Sequence, residues 1–237
     1  MRDALRSQVP NMMTFASLFF ACTSIILSIQ GYLVTAALCI LVGSLLDALD
    51  GATARRLGVS SPFGLQLDSL VDTVTFGIAP VVLVYRHMQA LDFDLTLTWM
   101  AATAYVVGGV FRLARFNLLP PKDSSHRDSL GLTISFSGAV VVLVVLSNYT
   151  YGSSLLPAFF FPLLMLGLAL LMVSRIRYPA IGVLIQRRRL ALAGLITIAL
   201  LSLLFSPQLV ILAAALLYIF FGLGRAMYRL IPAGTQA

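Results

Sequence analysis

Four of the nine aspartates in this chain, Asp47, Asp50, Asp68 and Asp72, fall within residues 47–72, and the chain has no glutamate. Asp47 and Asp50 are three residues apart and Asp68 and Asp72 four apart, so on helices each pair shares one face. Both pairs lie at or inside the ends of apolar runs, where a carboxylate is costly unless it faces a cavity, pairs or binds a cation. Asp68, near a helix start, is also readable as a cap; capping does not explain four at once. Brought together, the four repel one another unless neutralised, which argues for about two hard divalent cations with oxygen ligands. Gly51 and Ala54 beside the first pair, and Gly64 before the second, leave room for a backbone or a bulky ligand to approach. Arg55 adds a fixed positive charge suited to a phosphate. Such a set describes a site for a diphosphate.

The elements that position these residues must be membrane helices. With 59% apolar and 11% charged residues, an ordinary globular surface is excluded. Between Asp3 and Asp47 the only charge is Arg6, and no charge interrupts the stretches from Asp128 to Arg175 or from Arg189 to Arg225. Turn signals divide the chain into about eight helices of roughly 20 residues, near 12–29, 33–56, 64–85, 95–116, 130–146 and 155–173, with a further pair meeting at Ser206-Pro207-Gln208. The expected fold class is an all-α integral membrane protein, a polytopic helical bundle forming one membrane-embedded domain over 1–237. The short loop between the second and third helices makes them antiparallel neighbours, so both aspartate pairs reach the same depth near one interface. The first apolar run is long, lacks a small-residue cleavage site and is followed at once by another, so it reads as the first membrane helix.

Charge placement supports this division. With the N-terminus inside, fifteen of the 16 basic residues fall on the cytoplasmic side and only Arg86 falls outside, as the positive-inside bias requires. The orientation expected is N-in and C-in, in a prokaryotic cytoplasmic (inner) membrane, with the aspartates facing the cytoplasm. The net charge of +7 is spread over short loops and forms no basic face, so no nucleic-acid partner is expected. Arg187, Arg188 and Arg189 read as a topology signal that touches anionic lipid. Cys22 and Cys39 lack metal-ligand spacing and read as small buried apolar residues. His87, beside Arg86, and His126, in the polar loop 120–128, read as solvated, and Trp99 as interfacial.

Written out, Asp47-x2-Asp50-Gly51-x2-Ala54-Arg55-x8-Gly64-x3-Asp68-x3-Asp72 resembles the signature of the CDP-alcohol phosphotransferase family at every fixed position. The resemblance implies a six-helix core, about 9–174, with an extra C-terminal helix pair, about 190–229. It implies that Asp47, Asp50 and Asp68 ligate one Mg2+ or Mn2+ ion, that Asp47, Asp68 and Asp72 ligate a second, and that Asp72 is the general base. Gly51 and Arg55 would contact the CDP moiety, and Ser61 the diphosphate or cytidine. Dimerisation through the membrane helices is a further family expectation.

Three stretches outside the signature look like the phosphatidylserine synthase branch: Val9-Pro10-Asn11, the run Arg112 to Asn117, and the run Met172 to Pro179. They imply CDP-diacylglycerol and L-serine as substrates, with CMP released. Arg112 and Arg115, three apart on one helical face, would then hold the serine carboxylate or a lipid phosphate, or anchor the helix end as ordinary inside arginines. Gly131-Leu132-Thr133 lacks the proline usual in that branch, leaving glycerol 3-phosphate, inositol phosphate and choline open as acceptors. Two readings of other classes stand beside the enzyme: a transporter whose aspartates line an ion path, and a non-catalytic membrane scaffold. Clustering at one interface with a Gly-Arg pattern disfavours the transporter, and a scaffold gives four carboxylates no reason to sit together.

Overall fold

A computed structural model describes residues 2–59, 61–118, 129–150, 156–178 and 207–230. Helices α1 (Arg2–Ile29) and α2 (Leu33–Leu57) form an antiparallel pair. Helix α3 (Pro62–Asp72) continues through a π-helical turn (Thr73–Ile78) into α4 (Ala79–Ala90), and α5 (Leu95–Asn117) returns across the bundle. A two-residue strand β1 (Ser129–Leu130) precedes α6 (Ile134–Thr150) and α7 (Phe160–Val173); β2 (Arg177–Tyr178) pairs antiparallel with β1, and α8 (Pro207–Leu230) follows. Four helical segments, Gln8–Ile29, Leu33–Leu57, Pro62–Ala90 and Leu95–Asn117, are long and apolar enough to cross a membrane. The chain is an all-α membrane protein. The expected eight full spans are not reached among the described residues, where Ile134–Thr150, Phe160–Val173 and Leu209–Arg225 are shorter apolar helices. The seventh expected helix lies outside the described residues.

Two helix starts are corrected. The fifth was expected near 130 and begins at Ile134; the sixth was expected near 155 and begins at Phe160. Gly131 explains the first, because its φ of +76° turns the chain left-handed, a conformation that suits glycine. Its N–H donates to Ile176 O at 2.8 Å and Leu132 N–H to Leu171 O at 3.1 Å, so the backbone is tied to the end of α7 before α6 can start.

The packing inverts the polarity of a water-soluble helix. On α1 the buried positions are Pro10, Thr14, Ser17, Ala21, Ser24 and Ser28, while Met12, Phe15, Phe19 and Ile26 point outward. Spacing of three and four keeps the small residues on one face, which meets Ala36, Ile40, Gly43 and Asp50 of α2. Small residues let membrane helices approach closely, and hydroxyls bond across the seam: Ser17 Oγ donates to Gly43 O at 3.0 Å. A Cβ on Gly43 would stand 3.3 Å from Thr75 Cγ2. The expectation that Cys22 and Cys39 are buried is corrected here, since Cys22 is exposed and Cys39 half-buried beside these stripes. Helix α6 is buried on all sides from Val140 to Leu146, as its uniformly apolar sequence requires.

His87 is a further correction. It was expected to be solvated next to Arg86 but is 2% exposed, because successive helical residues point in different directions and His87 faces α6 and α7. Leu156 N–H donates to Asn148 Oδ1 at 2.9 Å, so Asn148 Nδ2 donates to His87 Nε2 at 3.0 Å and the ring proton sits on Nδ1. His126 lies outside the described residues.

The π-helical turn has an identifiable support. Pro80 has no N–H to offer the Phe76 carbonyl four residues earlier, and the fully buried Tyr105 hydroxyl donates to that carbonyl at 2.9 Å. Gly138 of α6 covers the same place, where a Cβ would come within 2.9 Å of Phe76 O. Tyr105→Phe removes the donor while keeping the ring, so denaturant unfolding in detergent should show a loss of about 1–3 kcal/mol, the cost of an orphaned buried carbonyl.

Candidate active site

The stripe that buries Ile40 and Gly43 of α2 continues through Asp47 to Asp50, so the first carboxylate pair lies on the packed face. Helix α3 is launched by Ser61, whose Oγ accepts from Gly64 N–H at 3.0 Å, with Pro62 in the first turn, a favoured start. Asp68 and Asp72 then stand one turn apart on the face that looks toward α2. Asp47, Asp50 and Asp68 each offer a carboxylate oxygen, and the three atoms lie within 4.8 Å of one another. Asp72 stands within hydrogen-bonding reach of Asp47. Asp50 is 4% and Asp72 8% exposed.

Thr14 of α1 donates to Asp50 Oδ2 at 2.6 Å, a contact that sequence reasoning missed although Thr14 opens the polar stripe of α1. Asp72 Oδ1 is buried with no hydrogen-bond donor among the described residues. Converging acceptor-only oxygens, one of them orphaned, fit a hard divalent cation such as Mg2+ or Mn2+ and not a soft metal.

These carboxylates form one part of a cavity of about 320 Å³. On the α2 side it is bounded by Gly51 and Arg55, and on the far side by Arg112, Phe116 and Asn117 of α5 with Thr133 and Ser135 before and at the start of α6. Gly51 matters by its missing side chain: a Cβ there would lie 3.3 Å from Arg55 Nη1, so the guanidinium folds back over the glycine one turn earlier. Arg112 is 8% exposed and couples electrostatically to Asp72 across the cavity. The cavity therefore brings two arginines and four carboxylates together.

Not every expected site residue lines this space. Ser61 caps α3, and its hydroxyl oxygen is engaged by Gly64 N–H. Arg115 points instead to the end of α7: Nη1 donates to Val173 O at 3.1 Å and Nη2 to Leu130 O at 2.8 Å, with Ser174 O at 3.3 Å and Met172 O at 3.4 Å. It satisfies carbonyls that a helix C-terminus leaves unpaired and pins β1 to α7. Asn117, Ser69, Thr133 and Ser135 line the cavity and were not singled out from sequence. Asn117 closes a stretch already noted there, but single hydroxyls and amides in apolar helices carry no spacing signal.

The sequence model of the CDP-alcohol phosphatidyltransferase family matches residues 7–173. A CDP-diacylglycerol--serine O-phosphatidyltransferase of Helicobacter pylori is 34% identical over 173 residues, covering 72% of this chain and 71% of that protein. The Bacillus subtilis protein of the same name is 36% identical over 146 residues, 61% of this chain and 75% of its own. An archaetidylserine synthase of Methanothermobacter thermautotrophicus is 32% identical over 175 residues, 73% of this chain and 70% of its own. The family match takes in every residue that bounds the cavity, and the chain belongs to the CDP-alcohol phosphatidyltransferase family.

Proposed function

We propose that this enzyme transfers the phosphatidyl group of CDP-diacylglycerol to the hydroxyl of L-serine, releasing CMP and forming phosphatidylserine. The observation that carries the reading is the cavity itself, in which Arg55 and the buried Arg112 line the same space as one carboxylate cluster. The relatives' names differ in the lipid they mention, phosphatidyl or archaetidyl, and agree on serine. That agreement supports serine over glycerol 3-phosphate, inositol phosphate or choline.

Asp47, Asp50 and Asp68 would hold one divalent cation, and Asp47, Asp68 and Asp72 a second. When bound, such ions supply positive charge that offsets the diphosphate and the departing CMP. Arg55, lying over Gly51, receives the CDP phosphates, since a bulkier residue 51 would displace its guanidinium. Thr14 keeps Asp50 Oδ2 in one orientation. Asp72 accepts the proton of the serine hydroxyl, as a positioned carboxylate base does. The serine oxygen then bonds to the phosphorus that carries diacylglycerol, and the bridging P–O bond to CMP breaks. Arg112 pairs with the serine carboxylate through a forked contact. In the N-in, C-in orientation, which the positive-inside bias of Arg55 and Arg56 in the last turn of α2 supports, the cavity faces the cytoplasm, where a lipid nucleotide enters sideways and serine enters from water. A homodimer is the expected assembly.

Purified protein given CDP-diacylglycerol, magnesium or manganese, and one acceptor at a time should release CMP with L-serine. Release with a different acceptor alone would replace the substrate, and release with none would return the transporter or scaffold readings. Chelation should abolish turnover and either ion restore it. Asp72→Asn should lower kcat by about a hundred- to ten-thousandfold, the usual worth of a general base, in protein that still folds. Arg112→Lys, which loses the fork, should raise the KM for serine more than that for the lipid nucleotide. Arg115→Ala should instead lower the unfolding midpoint, because it frees carbonyls at the end of α7; a selective rise in serine KM with unchanged stability would place Arg115 on the substrate.

A further inference from the structure

Resting on the reading of serine as acceptor, one feature of the cavity goes further than Arg112. Asn117 Nδ2 donates to Ser69 Oγ at 2.9 Å, and the Ser69 proton is committed to Leu65 O at 3.1 Å. A hydroxyl has one proton to give, so towards Asn117 the Ser69 oxygen only accepts. This fixes which way the amide faces. Asn117 Oδ1 is consequently turned away from Ser69, buried, and without a hydrogen-bond donor among the described residues. A buried carbonyl oxygen without a donor is unfavourable, and Asn117 lines the same cavity as Arg112 and Asp72.

We propose that Asn117 Oδ1 accepts a hydrogen bond from the α-ammonium of the acceptor, so that Asn117 selects an amino acid alcohol over an alcohol that lacks the amine. The three polar groups of serine then meet three different partners. Its hydroxyl faces Asp72, its carboxylate the guanidinium of Arg112, and its ammonium the amide oxygen of Asn117. Ser69 acts through Asn117 as a positioning residue. A site built to pair a donor rejects an analogue lacking it, because its own polar atom is then left orphaned.

The test compares L-serine with 3-hydroxypropionate, which has the hydroxyl and carboxylate of serine but no amine and is assayed as a competitive inhibitor. In Asn117→Ala the KM for serine should rise about ten- to a hundredfold, the size of a hydrogen bond to a charged group. The Ki of 3-hydroxypropionate and the KM for CDP-diacylglycerol should stay within about twofold, since neither ligand uses that contact. Asn117→Asp keeps an oxygen in place and should hold the serine KM within about threefold while raising the Ki of the anionic analogue. An equal rise for serine and 3-hydroxypropionate would overturn the assignment, as would a rise confined to CDP-diacylglycerol, which would put the amide on the nucleotide. If Asn117→Ala does not fold, Asn117→Asp decides alone, an unchanged ratio of Ki to KM being the adverse result. Wild-type protein that turns over only another acceptor removes the serine reading and this assignment with it. Serine turnover with an unchanged ratio removes Asn117 alone.

Discussion

Everything in the bundle is arranged around the electrostatic cost of four carboxylates in and beside a medium that cannot solvate them. Asp47, Asp50, Asp68 and Asp72 converge at the ends of two apolar helices, two of them almost wholly buried. Isolated, each would be costly in lipid, and together they add mutual repulsion. The compensation comes from geometry. Thr14 donates to Asp50, Arg112 faces Asp72, Arg55 folds over Gly51, and oxygens of Asp47, Asp50 and Asp68 converge closely enough to hold a divalent cation. The site is thus poorly neutralised by the protein alone.

Reaching that geometry demands close helix approach, and here the membrane setting reverses the usual rule. Because lipid is as apolar as leucine, burying large side chains gives little drive for association, and packing and hydrogen bonds decide. Helix α1 accordingly turns threonine, serine and alanine inward and phenylalanine and isoleucine outward. The seam with α2 carries Thr14 to Asp50 and Ser17 to Gly43, so the contacts that hold the two helices together also orient a site residue.

The backbone is held to the same standard, since an unsatisfied carbonyl has no water to turn to. Two such places adjoin the site. Pro80 leaves Phe76 O without its helical donor just after Asp72, and Tyr105 reaches across from α5 to supply one. The C-terminal carbonyls of α7 and that of Leu130 gather on Arg115, which holds the segment carrying Thr133 and Ser135 against the cavity. Both devices come from α5, the helix that also presents Arg112 and Asn117. Helix α5 therefore joins the structural and the chemical demands, whereas α2 and α3 bring the carboxylates.

The aspartate spacing, the glycine and arginine beside it, and the long uncharged runs determined an all-α membrane protein with two carboxylate pairs on helix faces, because helical periodicity is a local property that any window of sequence displays. Those runs also located α2 and α5 closely, whereas α1 begins at Arg2, well before the expected start near residue 12. The shorter α6 and α7 were misplaced at their starts; for α6 the reason is Gly131, whose N–H donates to Ile176 O, a partner more than 40 residues away. Only the tertiary structure decided that His87 is buried against Asn148, that Cys22 faces outward, and that Ser61 caps a helix. It alone separated Arg112, which lines the cavity, from Arg115, which binds carbonyls, although the two are three residues apart on one helix. Residue type and spacing state which face a side chain occupies; which atoms meet it there depends on how helices distant in sequence pack.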